Sequence, residues 1–399
     1  MLRSVRDLEA SGKRVFVRVD LNVPLRDGVV SDDTRIRAVL PTIELLLEQS
    51  ARVILASHLG RPGGVVVEAL RMAPVAARLG SLLGRPVAST DGCIGPAVAA
   101  AVGRLAPGEV LLLENLRFHP GEEAGDPAFA DALAAHADAY VNDAFGTAHR
   151  AHASTVGVAE RLPAYAGLLM EREVLALSSL LDAPDRPFVA ILGGAKVSDK
   201  LGVIEHLLDR VDALVLGGGM ANTFLLAEGY GIGRSLAEPD RAEEARRLLG
   251  IAAGRGVPIV LPSDVVVTDG VREDARQRLV EVTDVEPDET IVDIGPGTVR
   301  TMRSLLEPAR TIFWNGPLGI AEIDAFATGT NAVAVELAAC AGRGASVVAG
   351  GGDSIAAITR LGLADRMTHL STGGGASLEF LEGRELPGVA VLRSPLAVA

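Results

Sequence analysis

Short apolar runs recur along the whole chain, and each is followed by a polar or glycine-rich turn and then by residues at helical spacing. The first half holds runs at 15–17, 53–56, 110–113 and 139–141. The second holds them at 189–192, 214–216, 291–294, 312–314, 347–349 and around Leu370. This alternation is the pattern of a parallel α/β sheet with helices packed on it. Ligands of such sheets bind beyond the carboxyl ends of the strands, so the residues just after each run are the functional candidates. With 399 residues the chain exceeds one ordinary hydrophobic core, and two domains are expected.

Composition narrows the partners. A net charge of −13 argues against nucleic acid or an anionic membrane as a partner, so a site for an anionic ligand must be a local basic patch. No stretch of 18 apolar residues occurs, the first residues carry no apolar signal core, and Cys93 and Cys340 show neither disulfide-framework nor metal spacing. A cytoplasmic protein is expected.

The two halves end their strands differently. In the first, the runs lead to Arg18 and Asp20-Leu21-Asn22, to His58-Leu59-Gly60-Arg61, to Glu114-Asn115-Leu116-Arg117, and to Asn142 followed by His149-Arg150-Ala151-His152. So many cations would repel one another unless they face a small, multiply charged anion. Arg35 joins them from the first turn of a helix: Asp32-Asp33-Thr34 resembles a cap, and Ile36, Val39, Leu40, Ile43, Leu46 and Leu47 trace its apolar stripe. In the second half the runs end in Gly193-Gly194, Gly217-Gly218-Gly219, Gly295-Pro296-Gly297, Gly316-Pro317, Gly350-Gly351-Gly352-Asp353-Ser354 and Gly373-Gly374-Gly375. Glycine loops let backbone N–H groups approach phosphates and flat bases. Asp353 reads either as a helix N-cap or as the carboxylate that meets Mg²⁺ beside those phosphates.

Only three of the 38 basic residues are lysine: Lys13, Lys196 and Lys200. The last two, spaced i, i+4 before a helical pattern at Leu201, Ile204, Leu207, Leu208 and Val211, are expected to share the first turn of a helix with a polyanion between them. The P-loop and dinucleotide fingerprints are both absent, and so are the protein-kinase motifs. His136, His206 and His369 are expected to be packing or surface residues. A nicotinamide-dependent dehydrogenase is disfavoured by the missing fingerprint, and a non-catalytic nucleotide sensor by the presence of Arg35, Lys196 and Asp353 together.

Taken in order, Arg18-Val-Asp20-Leu-Asn22-Val-Pro24, His58-Leu-Gly-Arg61-Pro62, Glu114-Asn-Leu-Arg117-Phe, Asn142-Asp-Ala-Phe-Gly-Thr-Ala-His-Arg150, Gly193-Gly-Ala-Lys196-Val, Trp314-Asn-Gly-Pro317, Gly350-Gly-Gly-Asp353 and Ser371-Thr-Gly-Gly-Gly resemble the phosphoglycerate kinase family over nearly the whole chain. The resemblance implies an α/β protein of two doubly wound, Rossmann-like parallel-sheet domains joined by a hinge helix near 168–181. The domains would span 1–167, with 386–399 returning to it, and 168–385. It implies Mg²⁺-dependent phosphoryl transfer between 1,3-bisphosphoglycerate and ADP, giving 3-phosphoglycerate and ATP, by a monomer whose domains close on their ligands.

On the same resemblance, Asp20, Leu21, Asn22, Arg35, His58, Leu59, Gly60, Arg61, Arg117 and Arg150 would bind 3-phosphoglycerate. Lys200, Gly351, Gly352, Asp353 and Ser354 would bind the nucleotide's phosphates, with Asp353 on Mg²⁺ and Glu322 on the ribose. Arg35 and Lys196 would hold the phosphoryl group in flight. The chain departs from the family's usual pattern at Thr290-Ile291-Val292-Asp293 and at Ala321, both in the expected nucleoside pocket.

Overall fold

The apolar runs form the strands of two separate parallel sheets in a computed structural model that describes residues 2–393. Residues 2–175 together with 385–393 make one unit, and 176–384 make the other. The end of the expected returning segment, 394–399, lies outside the described residues.

In the first unit the six parallel strands lie in the order Val87–Ser89, Val110–Leu112, Arg52–Ala56, Arg14–Arg18, Ala139–Asn142, Ala164–Ala166. The chain builds outward on one side of Arg14–Arg18 and then crosses to the other. The strand order therefore reverses between Arg14–Arg18 and Ala139–Asn142, which marks the crevice where a ligand belongs. Val15, Val17, Val53 and Leu55 are fully buried against Ile36, Val39 and Ile43 of the helix Thr34–Glu48.

The second unit repeats the design with the order Ile259–Val260, Ala213–Leu216, Phe188–Leu192, Thr311–Asn315, Ser346–Gly350, His369–Ser371, all parallel. Numbered along the chain this is 3-2-1-4-5-6, the dinucleotide-fold order, with its switch point between Phe188–Leu192 and Thr311–Asn315. Its core is built on Val189, Ile191, Val215, Ile312, Trp314, Leu337 and Val347.

One expected parallel strand is elsewhere. Thr290–Ile294 pairs antiparallel with Asp264–Thr268, which also pairs antiparallel with Gln277–Glu281, so the three form a small sheet of their own. The apolar run was real, but Gln277–Glu281 alternates exposed and more buried residues, and the sequence reading passed over it.

The helix Leu168–Asp182 carries the chain from one unit to the other. Its start is held by Asp143, which follows the strand Ala139–Asn142. Asp143 Oδ1 accepts the N–H groups of Leu169 at 2.8 Å and Met170 at 3.1 Å, and Thr42 Oγ1 accepts that of Leu168 at 2.9 Å. Gly167 is required here, since a Cβ would stand 2.2 Å from Asp143 Oδ1. Oδ2 is buried with no partner among the described residues, and burial pushes the carboxyl up from 3.8 to about 6. A carboxyl with a raised folded-state pKa stabilises the fold most below its unfolded pKa, and that contribution is lost as pH rises through about 6. Asp143→Asn keeps one acceptor oxygen and has no charge to bury. The stability of the parent relative to this variant should therefore fall by about 2 kcal/mol between pH 4 and pH 7, read from urea midpoints. A pH-independent difference would show that Asp143 does not titrate in this window.

Candidate active site

At the carboxyl ends of the first sheet, the loops are tied together by amides before any charge is placed. Asn22 Oδ1 accepts Gly60 N–H at 2.9 Å, and Ser57 Oγ accepts Leu21 N–H at 2.9 Å. Asn115 accepts the N–H groups of Leu59 at 3.2 Å and Arg117 at 3.1 Å, and donates to Leu59 O at 2.7 Å and Leu70 O at 3.0 Å. Glu114, almost wholly buried, accepts from Arg71 at 3.0 Å, from Met72 N–H at 2.9 Å and from Asn115 N–H at 2.8 Å. The backbones of Leu21, Leu59 and Gly60 are thus fixed in relation to one another, which leaves the charged side chains little entropy to lose on binding.

Onto this frame come the cations. Arg35 Nη1 donates to Asp20 Oδ2 at 3.0 Å, so the two are an ion pair with the arginine still partly open to solvent. Asn22 N–H in turn caps Asp20 Oδ1 at 3.2 Å. Arg117 is 6% exposed; its Nη1 donates to Gly60 O at 2.8 Å and its Nε lies 3.2 Å from Glu123. Arg150 is exposed and donates to His149 at 3.1 Å. Arg61 is exposed, with no hydrogen-bond or ion-pair partner among the described residues. His58 is buried among these groups. Burial, then the charges of Arg18, Arg117 and Arg35, push its pKa well down, so the ring is neutral. His152 is pushed down to about 4, first by burial and then by Arg18, Arg117 and Arg150.

Arg18 behaves unlike the other strand-end arginines. It is 1% exposed and spends its donors inside the protein, on Ser154 Oγ at 2.8 Å, on Val19 O, and toward His58 Nδ1 at 3.3 Å. Ser154 hands the charge on to Glu122, a wholly buried carboxylate. Sequence reasoning placed Arg18 at the strand end but not this partnership: Ser154 and Glu122 come from segments far from the strand. The residues 153–157 form one turn of π-helix, a widened turn often found at functional sites.

In the second unit Lys200 occupies the switch point. Its ammonium donates to Gly193 O and, at 2.9 Å, to Asn315 O, the carbonyls that end the two strands flanking the crevice. Burial pushes its pKa down to about 8, against the pull of Asp199 and Asp353. The expectation that Lys196 and Lys200 share a helix face is corrected: the helix is Leu201–Leu207, with Lys200 at its N-cap and Lys196 out in the preceding loop. Ser198 holds that loop away from helical geometry, since its N–H and hydroxyl both donate to Glu238, at 2.9 and 2.7 Å. Lys196 is left exposed and Lys200 buried.

Asp353 is corrected in the same way. Gly351, at φ +87°, is the N-cap of the helix Gly352–Arg360, and Asp353 sits exposed in its first turn. Ser354 is buried and its Oγ accepts Gly316 N–H at 2.7 Å, pinning this helix to the neighbouring loop. Glu322 is exposed beside the buried Ala321. Among the described residues no group of three His, Cys, Asp or Glu side chains could enclose a metal ion. A lone exposed carboxylate such as Asp353 suits Mg²⁺, which takes one or two protein carboxylates and fills its octahedron with phosphate oxygens and water.

The glycine loops are not equivalent. A Cβ on Gly193 would fall 2.1 Å from Pro317 O, so that glycine serves the close approach of two strand ends. The Gly295-Pro296-Gly297 turn is occupied by protein: Asp264 accepts the N–H groups of Gly297 at 2.7 Å and Thr298 at 2.6 Å, and the Thr298 hydroxyl at 2.7 Å. That turn is therefore not a phosphate loop. By contrast, Gly352, Gly374 and Gly375 have open space where a Cβ would be.

A family model described as phosphoglycerate kinase matches residues 5–384. The phosphoglycerate kinase of Thermomicrobium roseum is 59% identical over 391 residues, covering 98% of this chain and 99% of its own. That of Rubrobacter xylanophilus is 60% identical over 390 residues, covering 98% of each. Among solved structures, phosphoglycerate kinase from Coxiella burnetii superposes with a TM-score of 0.87 at 43% identity, over 98% of this chain and 99% of that one. The enzyme from Pyrococcus horikoshii gives 0.86 at 36%, over 98% of both.

Asp264 supplies the cap of the helix Pro296–Leu306 from another strand. Asp264→Ala should therefore cost about 2 kcal/mol of stability, seen as a lower urea midpoint, by orphaning the N–H groups of Gly297 and Thr298, the Thr298 hydroxyl keeping its bond to the residue 264 carbonyl. An unshifted midpoint would contradict the capping role.

Proposed function

This chain belongs to the phosphoglycerate kinase family, a phosphotransferase family of glycolysis with ATP and ADP as substrates, and on that premise we propose how its residues divide the reaction. The reaction passes the acyl phosphate of 1,3-bisphosphoglycerate to ADP, giving 3-phosphoglycerate and ATP, and it runs both ways. Residues 1–167 with 386–399 hold the phosphoglycerate, and 168–385 hold the nucleotide with Mg²⁺. Asp20, Leu21, Asn22, His58, Leu59, Gly60, Arg61, Arg117 and Arg150 line the first site. Lys200, Gly351, Gly352 and Ser354 meet the phosphates, Glu322 the ribose, and Asp353 the metal. Arg35 and Lys196 act on the transferring group. The working form is a cytoplasmic monomer; among the described residues no helix is long and apolar enough to cross a membrane.

The observation that carries this reading is the group of cations around a neutral His58 at the carboxyl ends of the first sheet, beside its switch point. In the ATP-consuming direction the acceptor is a carboxylate, ionised at pH 7, so the reaction asks for no general base. It asks for positioning and for neutralisation of charge on the phosphoryl group. Mg²⁺, bound through the nucleotide, would add a Lewis acid on the phosphate oxygens. Arg35 is suited to a transition-state role because its Asp20 partner leaves it partly exposed, and Lys196 because it is exposed and makes no hydrogen bond or salt bridge among the described residues, feeling Glu238 only through space.

A coupled assay of ATP formation from 1,3-bisphosphoglycerate and ADP tests the activity itself. Lys196→Arg and Arg35→Ala should each lower kcat by at least about tenfold, some 1.4 kcal/mol. Alanine at Arg61, Arg117 or Arg150 should raise KM for 3-phosphoglycerate more than it lowers kcat. If all of these merely shift KM, the roles of Arg35 and Lys196 are wrong.

Lys200 gives an independent readout. Its pKa of about 8 in the ligand-free protein leaves it mostly neutral at pH 9, and bound polyphosphate would raise that pKa. Nucleotide binding at pH 9 should therefore take up a proton, measured by calorimetry in buffers of different ionisation enthalpy. Lys200→Met should abolish the uptake; equal uptake in both proteins would place the nucleotide phosphates away from Lys200.

A further inference from the structure

We infer that Glu122 and Ser154 are positioning residues which, through Arg18, fix His58 as the neutral tautomer carrying its proton on Nε2. The two links made by Arg18 have only one allowed direction. A guanidinium has donors and no acceptor, so the 3.3 Å contact between Arg18 Nη2 and His58 Nδ1 is a hydrogen bond only if Nδ1 is bare. The neutral ring then holds its single proton on Nε2, for which no described residue is an acceptor.

The orientation of Arg18 is set on its other edge. Its Nε–H goes to Ser154 Oγ at 2.8 Å, which leaves the serine's own proton for Glu122 Oε1 at 2.6 Å. Glu122 Oε2 accepts Ser154 N–H at 3.0 Å. Both carboxyl oxygens thus face hydrogens of Ser154, and although burial raises the Glu122 pKa, the charge of Arg18 and these two hydrogen bonds favour its ionised form. The buried anion offsets Arg18, and the remaining titratable neighbours, His152 with Nδ1 3.8 Å from Oε1, Arg117, Tyr140 and Cys93, supply no competing donor within hydrogen-bond distance. Removing one member of such a buried set strands the others.

The consequence rests on the reading of His58 as a phosphoglycerate-binding residue. Arg18 then adds no free charge to the site. His58 offers the substrate an uncharged N–H donor of fixed direction, so its contribution to binding does not change between pH 6 and 8. Charge comes from Arg35, Arg61, Arg117 and Arg150, and the imidazole reads geometry.

The test is nitrogen NMR of the imidazoles in the ¹⁵N-labelled full chain without ligand. The parent protein should show His58 with a bare Nδ1 and a protonated Nε2, unchanged from pH 6 to pH 8. A protonated Nδ1, or a titration in that range, overturns the inference without any variant being made. Ser154→Ala cuts the link between Glu122 and Arg18 and should give a mixture of the two tautomers. The variant should also raise KM for 3-phosphoglycerate about fivefold, the worth of one ordinary hydrogen bond, and leave KM for the nucleotide within about twofold. Retention of the parent tautomer in Ser154→Ala would refute the positioning role. A changed tautomer with an unchanged KM for 3-phosphoglycerate would support the inference and count instead against His58 as a substrate residue.

Discussion

Buried carboxylates reaching across from other segments cap helices of this protein and tie them to its strands. The helix Leu168–Asp182 is capped by Asp143, Pro296–Leu306 by Asp264, and Thr328–Gly342 by Asp293, whose Oδ2 accepts Gly329 N–H at 2.5 Å. In the last two helices the residue at the N-cap position makes no side-chain cap bond. A helix N-terminus carries unpaired N–H groups and partial positive charge, so a carboxylate there satisfies donors and dipole together. Because each cap comes from a strand end or its following turn, it also fixes the angle at which strand and helix meet. Burial taxes these groups: Asp293 is pushed up to about 7 and Asp143 to about 6. Asp264 goes the other way, because a hydroxyl and two N–H groups outweigh its burial.

This arrangement explains why so much fold and so little of the site's wiring could be read from sequence. Strands such as Arg14–Arg18 and Phe188–Leu192 announce themselves through contiguous apolar residues, since both faces of a parallel sheet are covered. The loop residues after them were legible too, because strand ends are where polar side chains collect. Which group each of them meets was not. Asp264 and Thr298 are 34 residues apart, and Arg18 and Ser154 are 136 apart. No local pattern encodes such pairs. The spacing of Lys196 and Lys200 suggested a shared helical face because periodicity counts residues and cannot see Glu238 holding Ser198 in a loop.

The glycines show the same limit from another side. Six glycine-bearing turns looked alike in sequence, yet Gly193 admits a carbonyl, Gly295 admits a carboxylate, and Gly352 faces open space. A missing Cβ says that something comes close, not whether it is protein or ligand. Ile291 and Ala321 depart from the family's usual pattern. Ile291 N–H donates to Ser235 Oγ at 2.8 Å, and Ala321 O accepts from Arg360 at 2.8 Å. Both bonds use main-chain atoms, so they hold the loops whatever side chain stands there, and nothing in the structure explains the two departures.

The cations of the two sites differ in how far the protein has already answered their charge. Arg18 and Lys200 are sealed by internal acceptors, and moving either would strand a carbonyl or a carboxylate in the interior. Their positions are fixed, and in fixing them the fold also fixes His58 and the ends of two strands. Arg61 and Lys196 make no hydrogen bond or salt bridge among the described residues, with Glu238 pulling on Lys196 only through space, so ligand phosphate would be the partner that completes them. The body as a whole is acidic, with a net charge of −13, and a small basic patch on it keeps its field only where its charges remain unpaired. Arg18 supplies geometry alone, and the open cations supply the field. An anion entering the first site would therefore meet Arg61 and Arg150, which no carboxylate pairs among the described residues, beside Arg35 and Arg117, which Asp20 and Glu123 hold in place.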